Sequence, residues 1–156
     1  MRCLAVLLLM VALPCAAEIK AGFLLLEKQA RRLTLFNQGS PIKSYQVALG
    51  ANPRGHKQRE GDERTPEGVY FIDFKNPDSA FHRSLKISYP NRRDRTRAAR
   101  NGVNPGGLIM IHGLGDRPDY LQENANWTDG CIAVTNDEIE EIWEAVELDT
   151  PIMILP

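Results

Sequence analysis

Apolar and polar positions alternate through the first half of the chain. From Arg31 to Phe36, Leu33 and Leu35 fall on one face, Arg32 and Thr34 on the other. After the turn signal Asn37-Gln38-Gly39-Ser40, Ile42 to Leu49 alternates again, with Tyr45, Val47 and Leu49 together. Two such runs joined by a short polar loop predict a β-hairpin. Phe23 to Glu27 ahead of it, and Val69 to Phe74 and Leu85 to Tyr89 after it, predict further strands. Between Leu49 and Val69, residues 50–67 form a polar loop ending in Thr65-Pro66-Glu67-Gly68. A loop of that length in a small domain points to function or disorder.

The second half opens on a basic, irregular stretch, Asn91 to Gly107, with arginines at 92, 93, 95 and 97 and room for one helical turn through Thr96–Arg100. A run of like charge most simply keeps a surface wet. Leu108 to Ile111 is apolar on both faces and predicts a central buried strand leading into His112. A loop from Gly113 to Gly130 precedes a short strand, Cys131 to Val134. Thr135 and Glu138 have the spacing of a capping box, and Ile139, Ile142, Trp143 and Val146 recur on one helical face. Pro151 to Leu155 predicts a last strand. Many strands and one amphipathic C-terminal helix predict a mainly β sandwich or barrel.

The N-terminus changes the picture. Arg2, an uninterrupted apolar run from Leu4 to Leu13, and small residues at Cys15, Ala16 and Ala17 have the layout of a secretory signal. The run is shorter than the roughly 20 residues a spanning helix needs. The expected organisation is a cleaved signal at 1–17, no transmembrane segment in the mature chain, and one domain at 18–156. Export implies a periplasmic or secreted protein. The whole chain carries 19 basic and 20 acidic residues; losing Arg2 makes the rest slightly more acidic. That balance is no footprint for nucleic acid.

Cleavage would also remove Cys3 and Cys15, leaving Cys131 without a disulfide partner in its own chain. Cys131 follows Gly130 and lies in the same half of the chain as His112. A cysteine attacks as thiolate, and a free thiol with a pKa of about 8.5 is mostly protonated at neutral pH. An imidazole in reach can take that proton and return it to a leaving amine. Gly130 permits a sharp turn and a close substrate approach. The N–H groups of Cys131, Gly130 and Asp129 are candidate oxyanion donors, and Thr128 is a candidate donor to substrate. Taken singly, Cys131 reads as a small core residue and His112 as a satisfied structural group; taken together they point to nucleophilic catalysis. His56, His82, His112 and Cys131 lack metal-ligand spacing, so no metal is expected. Asp129, Gly113, His56, Lys57 and Arg64 are further candidate substrate contacts, the last three because cations pair with substrate carboxylates.

The motif His112-Gly113, then Thr128-Asp129-Gly130-Cys131-Ile132 with Asn136, resembles the signature of the YkuD-type L,D-transpeptidases. Thr65-Pro66-Glu67-Gly68-Val69-Tyr70 and the strand Val47-Ala48-Leu49-Gly50 are similar to other segments of that family. The resemblance covers nearly all of residues 18–156. Two positions depart from it: Ala133 stands where the family often has arginine, and Asp129 where it often has histidine or lysine. The resemblance implies a YkuD-like β fold and a cofactor-free cysteine acyltransferase acting on peptidoglycan stem peptides. Cys131 would be the acylated nucleophile and His112 the proton relay. It equally admits a hydrolase with water as acceptor, since the resembling branch includes a periplasmic amidase that detaches a lipoprotein from the wall. A noncatalytic wall-binding domain is the reading from another class.

Overall fold

The computed structural model describes residues 20–156; the predicted signal at 1–17 lies outside the described residues. The chain begins as the predicted meander, β1 (Phe23–Glu27), β2 (Arg32–Asn37) and β3 (Ser40–Gln46). The β2–β3 turn places Gln38 and Gly39 at φ +49° and +80°, the paired left-handed geometry that suits a two-residue hairpin. Leu33 and Leu35 enter the core as the alternation requires. Thr34 is buried too, because its hydroxyl hydrogen-bonds that of Ser44 across the hairpin at 2.8 Å. Beyond Gln46 the chain leaves the sheet. Val47 and Leu49 still reach the core, but β4 (Leu49–Gly50) pairs elsewhere.

After the long loop come β5 (Gly68–Ser79) and β6 (His82–Ile87). β5 is twice its predicted length because register shifts at Ile72–Phe74 and Asn76–Ser79 break the alternation that marks a strand. The basic stretch holds a nine-residue helix, α1 (Arg92–Arg100), rather than one turn. Asn91 accepts from the N–H groups of Arg93 and Asp94, and the Asp94 carboxylate accepts from the Asn91 N–H. Then follow β7 (Met110–His112), α2 (Tyr120–Glu123), β8 (Asn126–Thr128), β9 (Ile132–Ala133), α3 (Asn136–Ala145) and β10 (Pro151–Leu155). The Thr135–Glu138 capping box forms as predicted and starts α3.

Eight strands form one mixed sheet in the order β3-β2-β1-β10-β5-β6-β7-β9, and β4 pairs in parallel with β8. The first residues of β5 pair with β10, and from Ile72 onward it pairs with β6. The bulged strand thereby joins two halves of the sheet, which curls around a core that includes Leu24, Leu26, Tyr70, Ile111 and Ile154. The fold is mainly β. α3 covers the β6–β7 side, with Ile139 and Ile142 buried. β7 is not central but penultimate, with only two-residue β9 outside it. Among the described residues no helix is long and apolar enough to cross a membrane.

Candidate active site

The turn Asp129-Gly130-Cys131 links β8 to β9 and is stapled by Thr128. The Thr128 hydroxyl accepts the Gly130 N–H at 3.2 Å and donates to the Cys131 carbonyl at 2.8 Å. Two predicted donors are therefore engaged inside the turn. The Gly130 N–H and the Thr128 hydroxyl hold the Cys131 backbone and are not free donors. Gly130 has φ +125°, and a Cβ there would lie 2.6 Å from the Arg64 carbonyl oxygen. Only glycine meets both demands.

The 50–67 loop makes that close approach. A Cβ on Gly50 would sit 2.0 Å from the Glu63 carbonyl oxygen and 3.0 Å from the Gly130 Cα. Lys28 anchors the loop from beneath. Its buried ammonium donates to the carbonyls of Gly55 and Thr65 and to Glu67 Oε1 at 2.7, 3.1 and 2.8 Å. Burial pushes the Lys28 pKa down, and the Glu67 carboxylate partly restores it. Gly50→Ala must push the loop off the Cys131 turn. A loss of about 1–3 kcal/mol, the usual range for overpacking, is expected in the unfolding free energy measured with urea. An unchanged midpoint would mean that the backbones are not in contact.

His112 ends β7, next to β9, with Ile111 opposite Ile132 and His112 opposite Ala133. Its Nδ1 lies 2.6 Å from the Gly113 carbonyl oxygen. A carbonyl only accepts, so Nδ1 carries the proton and Nε2 is left as the acceptor. The imidazole is buried, with Phe81 at 4.3 Å and Trp127 at 5.8 Å between ring centroids. The Arg117 guanidinium lies over Phe81 at 4.1 Å. Burial pushes the His112 pKa down to about 4; the Gly113 hydrogen bond opposes this and the Arg117 charge adds to it.

Cys131 is partly exposed. Its thiol donates to the Leu108 carbonyl at 3.6 Å. Burial of the sulfur raises its pKa, a backbone hydrogen bond from Met110 opposes that, the Asp129 carboxylate raises it further, and Lys57 lowers it. At neutral pH the resting pair is thus a neutral thiol and a neutral imidazole. Leu108, assigned by its apolar neighbours to a buried strand, is instead 69% exposed at φ +55°. That backbone region costs a non-glycine residue energy and recurs at functional sites. Cys131 and His112 line one cleft of about 750 Å³, together with Leu108, Phe81, Arg117 and Trp127.

Residues 22–154 match the model of the YkuD L,D-transpeptidase catalytic domain. The chain belongs to the YkuD L,D-transpeptidase family. YafK of Escherichia coli is 32% identical over 125 residues, covering 76% of this chain and 44% of that protein. The YkuD domain described here thus spans less than half the length of the curated relatives it matches. The helical cell shape determining protein Pgp2 of Campylobacter jejuni superposes with TM-score 0.63 at 26% identity, over 85% of this chain and 46% of that one. Bd1075 of Bdellovibrio bacteriovorus does so with TM-score 0.60 at 26% identity, over 91% and 50%. An L,D-transpeptidase of Mycobacterium smegmatis, 16% identical at TM-score 0.57, shares the fold.

Within this YkuD domain the predicted substrate contacts separate. Lys57 and Asp129 line the cleft, although the Lys57 ammonium is paired with Asp62 at 2.8 Å. His56 does not reach it: its Nδ1 accepts the Glu67 N–H at 3.0 Å and its Nε2 lies 3.1 Å from Asp94. Arg64 lines a neighbouring depression and not the cleft, and its carbonyl packs against Gly130 in the Cys131 turn. Gly113 is buried and acts through its carbonyl on His112. A Cβ there would lie 2.6 Å from Asn136 Oδ1 and 2.9 Å from Ile139. Asn136 braces that segment, accepting the N–H groups of Leu114 and Gly115 and donating to the Gly115 carbonyl. Ala133 is fully buried and bridges Ala48 through paired backbone bonds of 2.9 Å, which leaves an arginine no room. Phe81, Arg117 and Trp127 were not singled out from the sequence as contributors to the site. Phe81 comes from the β5–β6 turn, and nothing local in its sequence points to the cleft. Trp127 precedes the motif directly, and its buried ring N–H has no hydrogen-bond partner.

Proposed function

We propose that this domain is a cysteine acyltransferase acting on the stem peptides of peptidoglycan, in the periplasm, after removal of residues 1–17. The observation that carries this reading is one cleft lined by Cys131 and by an imidazole whose Nδ1 is fixed on Gly113 and whose Nε2 is the acceptor. In the proposed reaction Cys131 Sγ attacks the carbonyl of the diamino acid at stem position three, and its proton passes to His112 Nε2. The N–H groups of Cys131 and Asp129 are the remaining candidates to face the oxyanion. When the tetrahedral species collapses, the carbon–nitrogen bond breaks and the imidazolium proton goes to the departing amine. An imidazole with so low a pKa parts with that proton readily. An acceptor amine then attacks the thioester, gives its proton to His112 and regenerates the thiol. Arg117 is the cleft cation that suits a stem-peptide carboxylate, the buried Lys57 ammonium being held by Asp62, and the unpartnered Trp127 N–H suits a substrate carbonyl.

The acceptor decides between transfer and hydrolysis, and residue type does not fix it. Incubation with defined tetrapeptide muropeptides, with products weighed by mass spectrometry, tests the reading. Joined stems, or exchange of the terminal residue, are the expected products. A gain of one water across a cut bond would make the domain a hydrolase with the same nucleophile, suited to releasing a wall-attached protein. Unchanged muropeptides with the thiol and imidazole intact would leave only a binding domain.

A further inference from the structure

Helix α1 carries five arginines in nine residues. Arg92, Arg93, Arg97 and Arg100 are exposed and line one depression of about 460 Å³ with Thr96 and Asn101. Local energetics oppose part of this arrangement, although Arg97 and Arg100 lie in the last turn, where the dipole suits cations. Arg92 and Arg93 sit at the positive end of the helix dipole, where cations are disfavoured. Arg93, Arg97 and Arg100 follow one another at like-charge spacings of four and three, which destabilise a helix. Compensation within the chain is slight. Arg97 lies 3.8 Å from Asp94, which is itself buried and held by the Tyr70 hydroxyl at 3.0 Å. Among the described residues Arg92, Arg93 and Arg100 have no ion-pair partner. Sequences break local rules of this kind most often where a function compensates.

The depression also leads somewhere. Asn101 is shared with a second depression of about 540 Å³ that adds Arg59 and Arg64. Gly61 is shared between that one and the Cys131 cleft. The one acid lining the two depressions, Asp62, is already occupied by Lys57 and by the N–H groups of Gln58, Arg59 and Arg64; Glu60, which accepts from the Asn104 amide at 2.7 Å, and Glu63 lie at the cleft end. A cationic track therefore runs from the depression beside the cleft to the far end of α1.

We propose that this track is a second binding site, for the carboxylates of stem peptides neighbouring the one in the cleft, so that the domain docks on the polymer and not on a single stem. The inference rests on the acyl-transfer reading for the identity of the polymer. A planar guanidinium pairs with a carboxylate through two parallel hydrogen bonds, and a wall polymer offers carboxylates repeatedly. A lipid surface fits less well, since Val103 is the one apolar side chain among the residues lining the two depressions, and interfacial binding needs apolar insertion. Exposed Val69 and Phe71 do adjoin Arg92 and Arg93 in a further depression, so anionic vesicles are the necessary control.

The test is co-sedimentation of the protein with purified sacculi, against a variant carrying Arg92→Gln, Arg93→Gln and Arg100→Gln. Three exposed charge pairs lost at once should weaken retention about tenfold. Parental retention should fall with added salt, while turnover of a soluble single-stem muropeptide stays unchanged. Sacculi whose carboxyls have been amidated should hold the unaltered protein as weakly as native sacculi hold the variant. This second arm does not depend on the variant's folding. Equal retention of parent and variant, undiminished binding to amidated sacculi, or stronger retention on phosphatidylglycerol vesicles than on sacculi would each overturn the proposal. Arginine-dependent sacculus binding by a protein inert on every muropeptide would sustain the track and sink the catalytic reading alone.

Discussion

Cys131→Ala is expected to abolish turnover while the domain stays folded. Loss of a nucleophile from a nucleophile–base pair costs on the order of 10⁶-fold in kcat in well-studied hydrolases, so the variant should fall to background. The fold should tolerate the change because the turn does not hang on the sulfur. Thr128 staples it, the 63–65 backbone wedges Gly130, and the thiol contributes one long hydrogen bond to Leu108. Muropeptide turnover and a thermal melt, run side by side, check both halves. Retained activity would end the assignment of Cys131 as nucleophile, and a collapsed fold would return it to the role of a core residue. Alkylation adds a third measurement. Iodoacetamide should label native Cys131, slowly at neutral pH and faster as the pH rises, because burial and Asp129 hold the thiol above its ordinary pKa. Labelling confined to denatured protein would contradict the open cleft.

The parts of this fold legible in the sequence are those governed by local chemistry. Thr135 and Glu138 announce α3, and Gln38-Gly39 announces its hairpin, because each motif satisfies its own backbone within a few residues. α1 also has a capping box, but Asn91 and Asp94 supply it, and the helix buries only Asp94 and Ala98. With no apolar stripe its period was hidden beneath arginine. Leu108 misled because hydrophobicity reports burial on average, and here a left-handed backbone carries the side chain outward. β7 could not be placed at the sheet margin, since its partner β9 is two residues long and its position depends on long-range pairing. The site divides along the same line. Cys131, His112 and Gly130 stood out by type and spacing, and the structure puts the first two in one cleft and buries the third in the turn behind Cys131. The cations did not sort themselves. Among His56, Lys57 and Arg64, only Lys57 reaches the cleft, while Arg117 enters it from a stretch with no motif, through its stack on Phe81.

The second large effect concerns His112. Replacement by alanine is expected to lower kcat by about 10²–10⁴-fold, the usual contribution of a positioned proton-transfer group. Its pH dependence is more diagnostic than the loss. An imidazole with a pKa of about 4 stays unprotonated through the whole mildly acidic range. The acid limb of kcat/KM, which reports the free enzyme, should therefore lie near pH 4 and not at the ordinary histidine value of about 6.5. Stability shifts with the same group. Between those two values the unfolded chain binds a proton at His112 that the folded chain refuses, so folding weakens as the pH falls. The contribution is complete above about pH 6.5 and is lost progressively down to about pH 4, with a span of about 3 kcal/mol. Denaturant midpoints of the parent and of His112→Ala, compared at about pH 7.5 and 4.5, should show a smaller drop in the variant. A limb near pH 6.5 together with parallel stability curves would mean that water reaches the imidazole freely. The packing of Phe81 and Trp127 around it would then not be what sets its chemistry.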